Sequence, residues 1–61
     1  MELERAFGCG TSKYYVVDRH SRLVVYRQGW LGRSFVSYAR DLAEAIALIE
    51  TDAGCYQIRA A

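Results

Sequence analysis

The chain has 61 residues, of which 52% are hydrophobic, and its eight basic and seven acidic residues leave a net charge of +1. A chain of this length forms one domain at most and buries only about 60% of the surface that its unfolded form exposes. The hydrophobic content excludes a disordered tail, and no window approaches the roughly 20 apolar residues that a transmembrane helix needs.

Residues 1–12 are predicted to form an N-terminal arm that precedes a core at residues 13–61. The apolar residues of the arm have the spacing of one helical turn, and the glycines of the arm would end that turn. The alternative is a loose segment. Acidic residues stand where a secretory signal needs positive charge, so we expect a cytoplasmic protein. Because that compartment keeps thiols reduced, Cys9 and Cys55 are predicted to be free thiols.

The segments KYYVVD (13–18) and LVVYRQ (23–28) are predicted to form an antiparallel hairpin. Both are rich in tyrosine and valine, which favour strands. The short polar connection between them begins next to Asp18, whose side chain favours a turn. Alternation gives the first strand two apolar faces, so we expect this strand to be central in the sheet.

The next segment, GWLGRSF (29–35), is expected to connect the second strand to a helix. Its two glycines allow sharp turns on either side of Trp30 and Leu31. We predict that Trp30 folds back over the end of the helix and completes a small core. The alternative is an interface anchor formed by Trp30 and Arg33, since both residue types are enriched at binding hot spots.

A helix follows, with Ser37 as its predicted N-cap and Gly54 as the glycine that ends it. Asp41 is a second possible start, because Glu44 would complete a capping box with it. CYQIRA (55–60) is predicted to be a last short strand. Apolar residues at helical spacing form one stripe along the helix: Tyr38, Leu42, Ala45, Ile46, Ile49 and Ala53.

These elements predict an α+β domain with the order ββαβ. The three strands would form an antiparallel sheet in the spatial order 2-1-3, with the helix packed on one face and a right-handed crossover. Nothing in the sequence covers the other face. Tyrosines on that bare face would suit a partner or a dimer mate, so we expect a monomer or a homodimer.

Charge is distributed unevenly along the chain. Residues 13–40 contain six basic residues and one acid, whereas residues 41–52 contain four acids and no base. Seven of the eight cations are arginine, which suits bidentate contacts with carboxylates and phosphates. Candidate partner-binding residues are therefore Arg19, Arg22, Arg27, Trp30, Arg33, Asp41 and Glu44.

Two interpretations of these charges lead to different partners. The arginines of the hairpin could grip a single-stranded nucleic acid together with Tyr14, Tyr15 and Tyr26, although the net charge near zero counts against this. The acidic helix face could imitate phosphates toward a basic partner. The alternatives are an edge strand protected against aggregation by its arginines and an ordinary solvated helix face.

A catalytic site is not indicated. His20 lies beside Ser21 and near Asp18, but a tight turn cannot align a nucleophile, a base and an orienting acid. Two cysteines and one histidine, widely spaced, do not match a zinc-binding pattern. We therefore predict a protein without enzymatic activity, metal or cofactor.

The segments KYYVVDRHSRLVVYR, ARDLAEAIALIETDAG and CYQIRAA together resemble the small proteins that bacteriophages and mobile elements encode. Those proteins also run strand, turn, strand, alanine-rich helix and short aromatic strand, and the likeness covers residues 13–61. Some of them are anti-CRISPR proteins, which bind a large effector complex and block its nucleic-acid or nuclease-recruitment surface. The basic hairpin departs from the acidic type that imitates DNA.

The resemblance implies a phage or mobile-element inhibitor in the cytoplasm of a host cell. Such a protein would bind a bacterial protein or ribonucleoprotein complex and act by steric occlusion, without contacting a membrane. The alternative function is a small single-stranded nucleic-acid-binding protein that uses the basic hairpin.

Overall fold

The computed structural model describes residues 3–60, which form an antiparallel sheet and a helix. The elements are β1 (Leu3–Cys9), β2 (Ser12–Arg19), β3 (Arg22–Gly29), β4 (Gly32–Ala39), α1 (Leu42–Ala53) and β5 (Arg59–Ala60). The sheet has the strand order β4-β3-β2-β1-β5, so β2 is central, as predicted. The α+β class is confirmed. The three-stranded order 2-1-3 is corrected, because β1 and β4 join the sheet and β5 pairs with β1 instead of β2.

The first four strands form a meander joined by three two-residue turns, at residues 10–11, 20–21 and 30–31. Such turns require positive φ near the connection, and Gly10 (64°), His20 (57°) and Gly32 (123°) provide it. The predicted N-terminal arm is therefore wrong over Leu3–Cys9, which pairs along its whole length with β2. The first two residues of that arm lie outside the described residues.

Asp41 is the N-cap of the helix, and Gly54 is its C-cap. The Asp41 side chain accepts a hydrogen bond from the Glu44 backbone N–H at 2.8 Å, whereas Ser37, the other predicted N-cap, lies within β4. Gly54 takes the left-handed conformation, with φ 65°, that glycine adopts without strain. No helix among residues 3–60 is long and apolar enough to cross a bilayer.

One face of the sheet packs on the helix and forms the core. Val25 of β3 and Ile49 of α1 are completely buried there. The other buried members of this cluster are Phe7, Cys9, Tyr14, Val16, Ala39 and Ala45. Of the predicted apolar stripe, Leu42, Ile46 and Ala53 are half-buried. The prediction that Tyr38 belongs to this stripe is wrong, because Tyr38 lies in β4 and is 54% exposed.

A disulfide joins Cys9, the last residue of β1, to Cys55, which follows the helix C-cap. The two Cα atoms lie 5.9 Å apart, within the usual range for a disulfide. The predicted free thiols are therefore wrong. Because β1 is a strand and not a loose arm, its end is held beside the end of the helix, and this brings the two cysteines together.

Candidate nucleic-acid interface

The sheet face opposite α1, called the open face below, carries a row of aromatic side chains. Alternation along the strands separates Tyr15 of β2 and Tyr26 of β3 from the core residues next to them. Tyr26 pairs across the sheet with Tyr15 on one side and with Phe35 of β4 on the other. Tyr38, near the C-terminal end of β4, pairs with Val24 of β3. No described element packs on this face.

Three of these rings contact one another edge to face. The centroids of Tyr26 and Phe35 are 6.5 Å apart with an interplanar angle of 79°, and those of Phe35 and Tyr38 are 5.1 Å apart at 63°. Phe35 is 55% exposed and Tyr38 is 54% exposed. The arrangement is one that aromatic pairs favour, and it presents ring surface to solvent.

Cations lie over the rings of the open face. The guanidinium of Arg33 is 3.7 Å from the centroid of the Tyr15 ring, and that of Arg22 is 4.9 Å from the centroid of Tyr38. The Lys13 ammonium also lies over Tyr15, at 5.7 Å. Arg19 pairs directly with Arg22 across the β2–β3 ladder. Positive charge and aromatic surface therefore alternate across the same face.

An ion pair between Arg33 and Glu4 shows that the sheet curls around the open face. Arg33 donates to both carboxylate oxygens of Glu4, at 2.5 and 3.0 Å. These residues stand on β4 and β1, which are separated by β3 and β2. In a flat sheet three interstrand spacings alone would hold them about 14 Å apart. A bulge in β4, where Val36 has no partner on β3, increases the bend.

The Arg33 guanidinium fixes the protonation state of Glu4. Its hydrogen bonds, together with its positive charge, hold the pKa of the Glu4 carboxyl below the ordinary value. Arg33 in turn has a raised pKa, chiefly because it donates to Glu4. Both groups stay charged at neutral pH, so the guanidinium stays positioned over Tyr15.

The predicted basic hairpin is divided between the two faces of the sheet. Arg19, Arg22, Tyr15 and Tyr26 lie on the open face, whereas Arg27 lies on the helix side and donates to Asp52 at 3.2 Å. This separates Arg27 from the other two hairpin arginines.

Tyr14, which was grouped with the open-face tyrosines in the sequence interpretation, belongs to the core. Its hydroxyl donates to Asp52 at 2.6 Å, and its ring is 1% exposed. Burial and the neighbouring Asp52 carboxylate raise the pKa of Tyr14. Tyr14 therefore packs the helix against the sheet and presents no surface to a partner.

Asp41 and Glu44, the predicted acidic contacts, make local interactions at the start of α1. Asp41 caps the helix, and the Glu44 carboxylate accepts from the backbone N–H of Arg40 at 3.1 Å. Glu44 also forms an ion pair with the Arg40 side chain. Arg22 lies close to both acids, because it lines one surface pocket with Glu44 and another with Asp41. The predicted partner-binding residues still do not form one site, since Arg27 contacts Asp52 on the helix side.

Trp30 is not a core plug. Trp30 and Leu31 occupy the tip of the β3–β4 hairpin, and both are fully exposed. Gly29 and Gly32 pair at the base of this turn and close it. The predicted packing of Trp30 over the helix is wrong because residues 32–39 form a strand, which directs the turn away from the core.

Sequence reasoning missed Phe35 and Glu4 and gave Tyr38 a place in the core. Phe35 and Tyr38 are three residues apart, which suggests a helix, but the bulge at Val36 puts both on one face of a strand. Glu4 carried no signal, because its partner Arg33 is 29 residues away. No cluster of three or more metal-ligating residues exists within residues 3–60.

The open face therefore offers stacking surfaces and fixed cations, carried by a sheet that the helix supports from behind. No protein-family model, curated protein or solved structure matches this chain.

Proposed function

We propose that the chain is a non-enzymatic protein that binds single-stranded nucleic acid with its open face. The observation that supports the proposal is the alternation of aromatic rings and cations on a curled sheet face that no described element covers. Proteins that bind single strands without sequence preference combine a positive groove with rings on which bases stack.

The dimensions of the face suit a short single strand. From Arg19 to Lys13 the face extends over six residue steps of β2, which is about 20 Å. A stacked strand rises about 3.4 Å per nucleotide, so roughly six nucleotides would span that distance. A duplex keeps its bases paired and stacked inside, so it would leave the rings without bases to contact.

The cations also count against self-association through this face. In a symmetric dimer the open face of one copy would meet the same face of the other. The cations of one copy, Lys13, Arg19 and Arg22, would then face those of the other, and like charges brought together across an interface are unfavourable. A polyanion avoids this repulsion and is attracted to the face.

The test is binding of labelled single-stranded oligonucleotides, measured by fluorescence anisotropy over a range of salt concentrations. Because Glu4 balances the charge of Arg33, the three other cations on the face, Lys13, Arg19 and Arg22, predict a log–log slope of up to about −2.1 against salt, at about −0.7 per phosphate contact. Tyr38→Ala should weaken binding about 5- to 150-fold, the range for losing one stacked base. Arg22→Ala should weaken binding and make the salt slope shallower by about 0.7.

Each variant has a matched control on another part of the surface. Tyr56 is 79% exposed in the segment between α1 and β5, so Tyr56→Ala should bind like the parent. Arg27 lies on the helix side of the sheet and pairs with Asp52, so Arg27→Ala should leave the salt slope unchanged. Absence of binding at low salt would contradict the proposal, and so would equal effects of the Tyr38 and Tyr56 variants.

The steric-inhibitor hypothesis, with an anti-CRISPR-like action in a host cytoplasm, stays a prediction. Its phosphate-imitating element receives little support, because Asp41 and Glu44 interact with the helix start. A bacterial protein complex captured from nuclease-treated lysate, combined with no oligonucleotide binding, would favour that hypothesis over ours.

A further inference from the structure

The tip of the β3–β4 hairpin is the feature of the surface that the fold itself does not explain. Trp30 and Leu31 fill a two-residue turn, and both are fully exposed. Turns of this kind favour asparagine, aspartate and glycine. The other two turns of the meander follow that tendency toward small or polar residues, with Gly10-Thr11 and His20-Ser21.

The backbone does not require these two side chains either. Gly29 and Gly32 close the turn, and Gly32 has the positive φ, at 123°. Positions 30 and 31 therefore tolerate many residue types, and the tip makes no contribution to the core. Departures from local rules that bring no structural gain concentrate at functional sites.

Resting on the function proposed above, we propose that Trp30 is the terminal stacking platform for the same single strand. Arg33 follows the tip on β4, and Lys13 stands at the same end of the neighbouring strands, because Tyr14 pairs with Arg27. The phosphates of a strand that leaves the open face at this end would meet Lys13, since both terminal nitrogens of Arg33 already donate to Glu4.

The distance from the open face to the tip is short enough for one continuous strand. The paired residues Tyr26 and Phe35 are three residue steps from the paired Gly29 and Gly32. Three steps correspond to about 10 Å, or roughly three stacked nucleotides. The base that passes Phe35 and reaches the tip would find the indole of Trp30, an aromatic surface accessible from both sides.

A lipid surface suits the tip less well than a base does. Only two apolar residues protrude, and Arg33, the nearest cation, is held by Glu4 against Tyr15 on the open face. Because the Glu4 carboxylate balances its charge, Arg33 adds little attraction to an anionic lipid surface. We therefore assign the tip to a nucleobase.

Trp30 is the single tryptophan of the chain, so intrinsic emission reports on the tip alone. The experiment titrates the intact protein with an unlabelled oligothymidylate of about 15 nucleotides, within the range that single-strand binding folds cover. Emission should be quenched, with the same midpoint that anisotropy gives for a labelled copy. Vesicles containing phosphatidylserine should leave the emission unchanged.

Two variants separate stacking from general apolar contact. Trp30→Ala should weaken oligonucleotide binding about 5- to 150-fold while its melting temperature and its salt slope stay those of the parent. Leu31→Ala, at an equally exposed apolar position, should change binding less than about twofold, because leucine has no ring on which a base can stack.

The outcomes distinguish this inference from the function on which it rests. The inference would be overturned if anisotropy showed normal oligonucleotide binding while the Trp30 emission stayed unchanged and the Trp30→Ala variant bound as tightly as the parent. The proposed function would then still stand. An emission shift with vesicles alone would assign the tip to a membrane surface and overturn the inference. No anisotropy change with any oligonucleotide would remove both.

Discussion

The Cys9–Cys55 disulfide should provide a large part of the stability of this domain. The bond closes a loop over a sequence separation of 46 residues. In the chain-entropy treatment, a loop of that length adds about 4 kcal/mol to the free energy of unfolding. A domain of 61 residues has a total of about 3–9 kcal/mol. Reduction should therefore remove about half or more of the stability, without replacing any residue.

The measurement is thermal unfolding followed by circular dichroism, with and without a reductant. In domains of this size 1 kcal/mol corresponds to about 4–8 °C in melting temperature. The loss of about 4 kcal/mol should then lower the melting temperature by about 15–30 °C. The matched control is the double variant Cys9→Ala and Cys55→Ala, which should melt near the reduced parent and be insensitive to the reductant.

Two results would refute this reasoning. One is a parent protein that melts at the same temperature with and without reductant. The other is a titration that finds both thiols free in the native protein under oxidising conditions. If the prediction holds, the stability of the fold depends on the redox potential around it, since glutathione and thioredoxin keep thiols reduced in the cytosol.

Two further predictions concern the core and the ion pair. Ile49→Ala should lower the free energy of unfolding by about 2–5 kcal/mol in chemical denaturation, because Ile49 is completely buried. Ile46 is only half-buried, so Ile46→Ala should lower the free energy of unfolding less. Equal losses in the two variants would contradict the packing of the helix on the sheet. Because Arg33 lowers the pKa of Glu4, the stabilisation by this pair is present above the unfolded pKa and is lost as pH falls through the lower folded pKa. In an NMR titration the Glu4 carboxyl should have a midpoint below that of an unperturbed glutamate, and Arg33→Ala should raise that midpoint. A parent midpoint at or above that of an unperturbed glutamate would contradict the ion pair.

The helix and the central strand could be predicted because their signals are local. Asp41 and Gly54 are residue types that begin and end helices, and the apolar spacing between them is helical. β2 could be placed in the centre of the sheet because both of its faces are apolar. These features depend on a few adjacent residues, which the sequence displays directly.

Neither β1 nor β4 could be predicted, and the physical reasons differ between the two strands. Glu4, Ala6 and Gly8 weaken the strand signal of β1, because these residue types are depleted in strands. In β4 the bulge at Val36 breaks the two-residue period, and the Trp30-Leu31 turn is not a typical hairpin connection. The disulfide could not be predicted either, because only a β1 strand paired with β2 brings Cys9 to the end of the helix.

The open face explains how one helix suffices for a sheet with two apolar faces. Val17 and Val24 lie on the face away from α1, yet they are only 3% and 4% exposed. The curl of the sheet and the large side chains around the valines exclude water from them without a second layer. A ligand that stacks on the outside of these rings leaves the valines covered, whereas an apolar partner seated on the valines would have to separate Arg33 from Glu4 and Tyr15. A ligand of the kind proposed above would therefore leave the buried valines undisturbed.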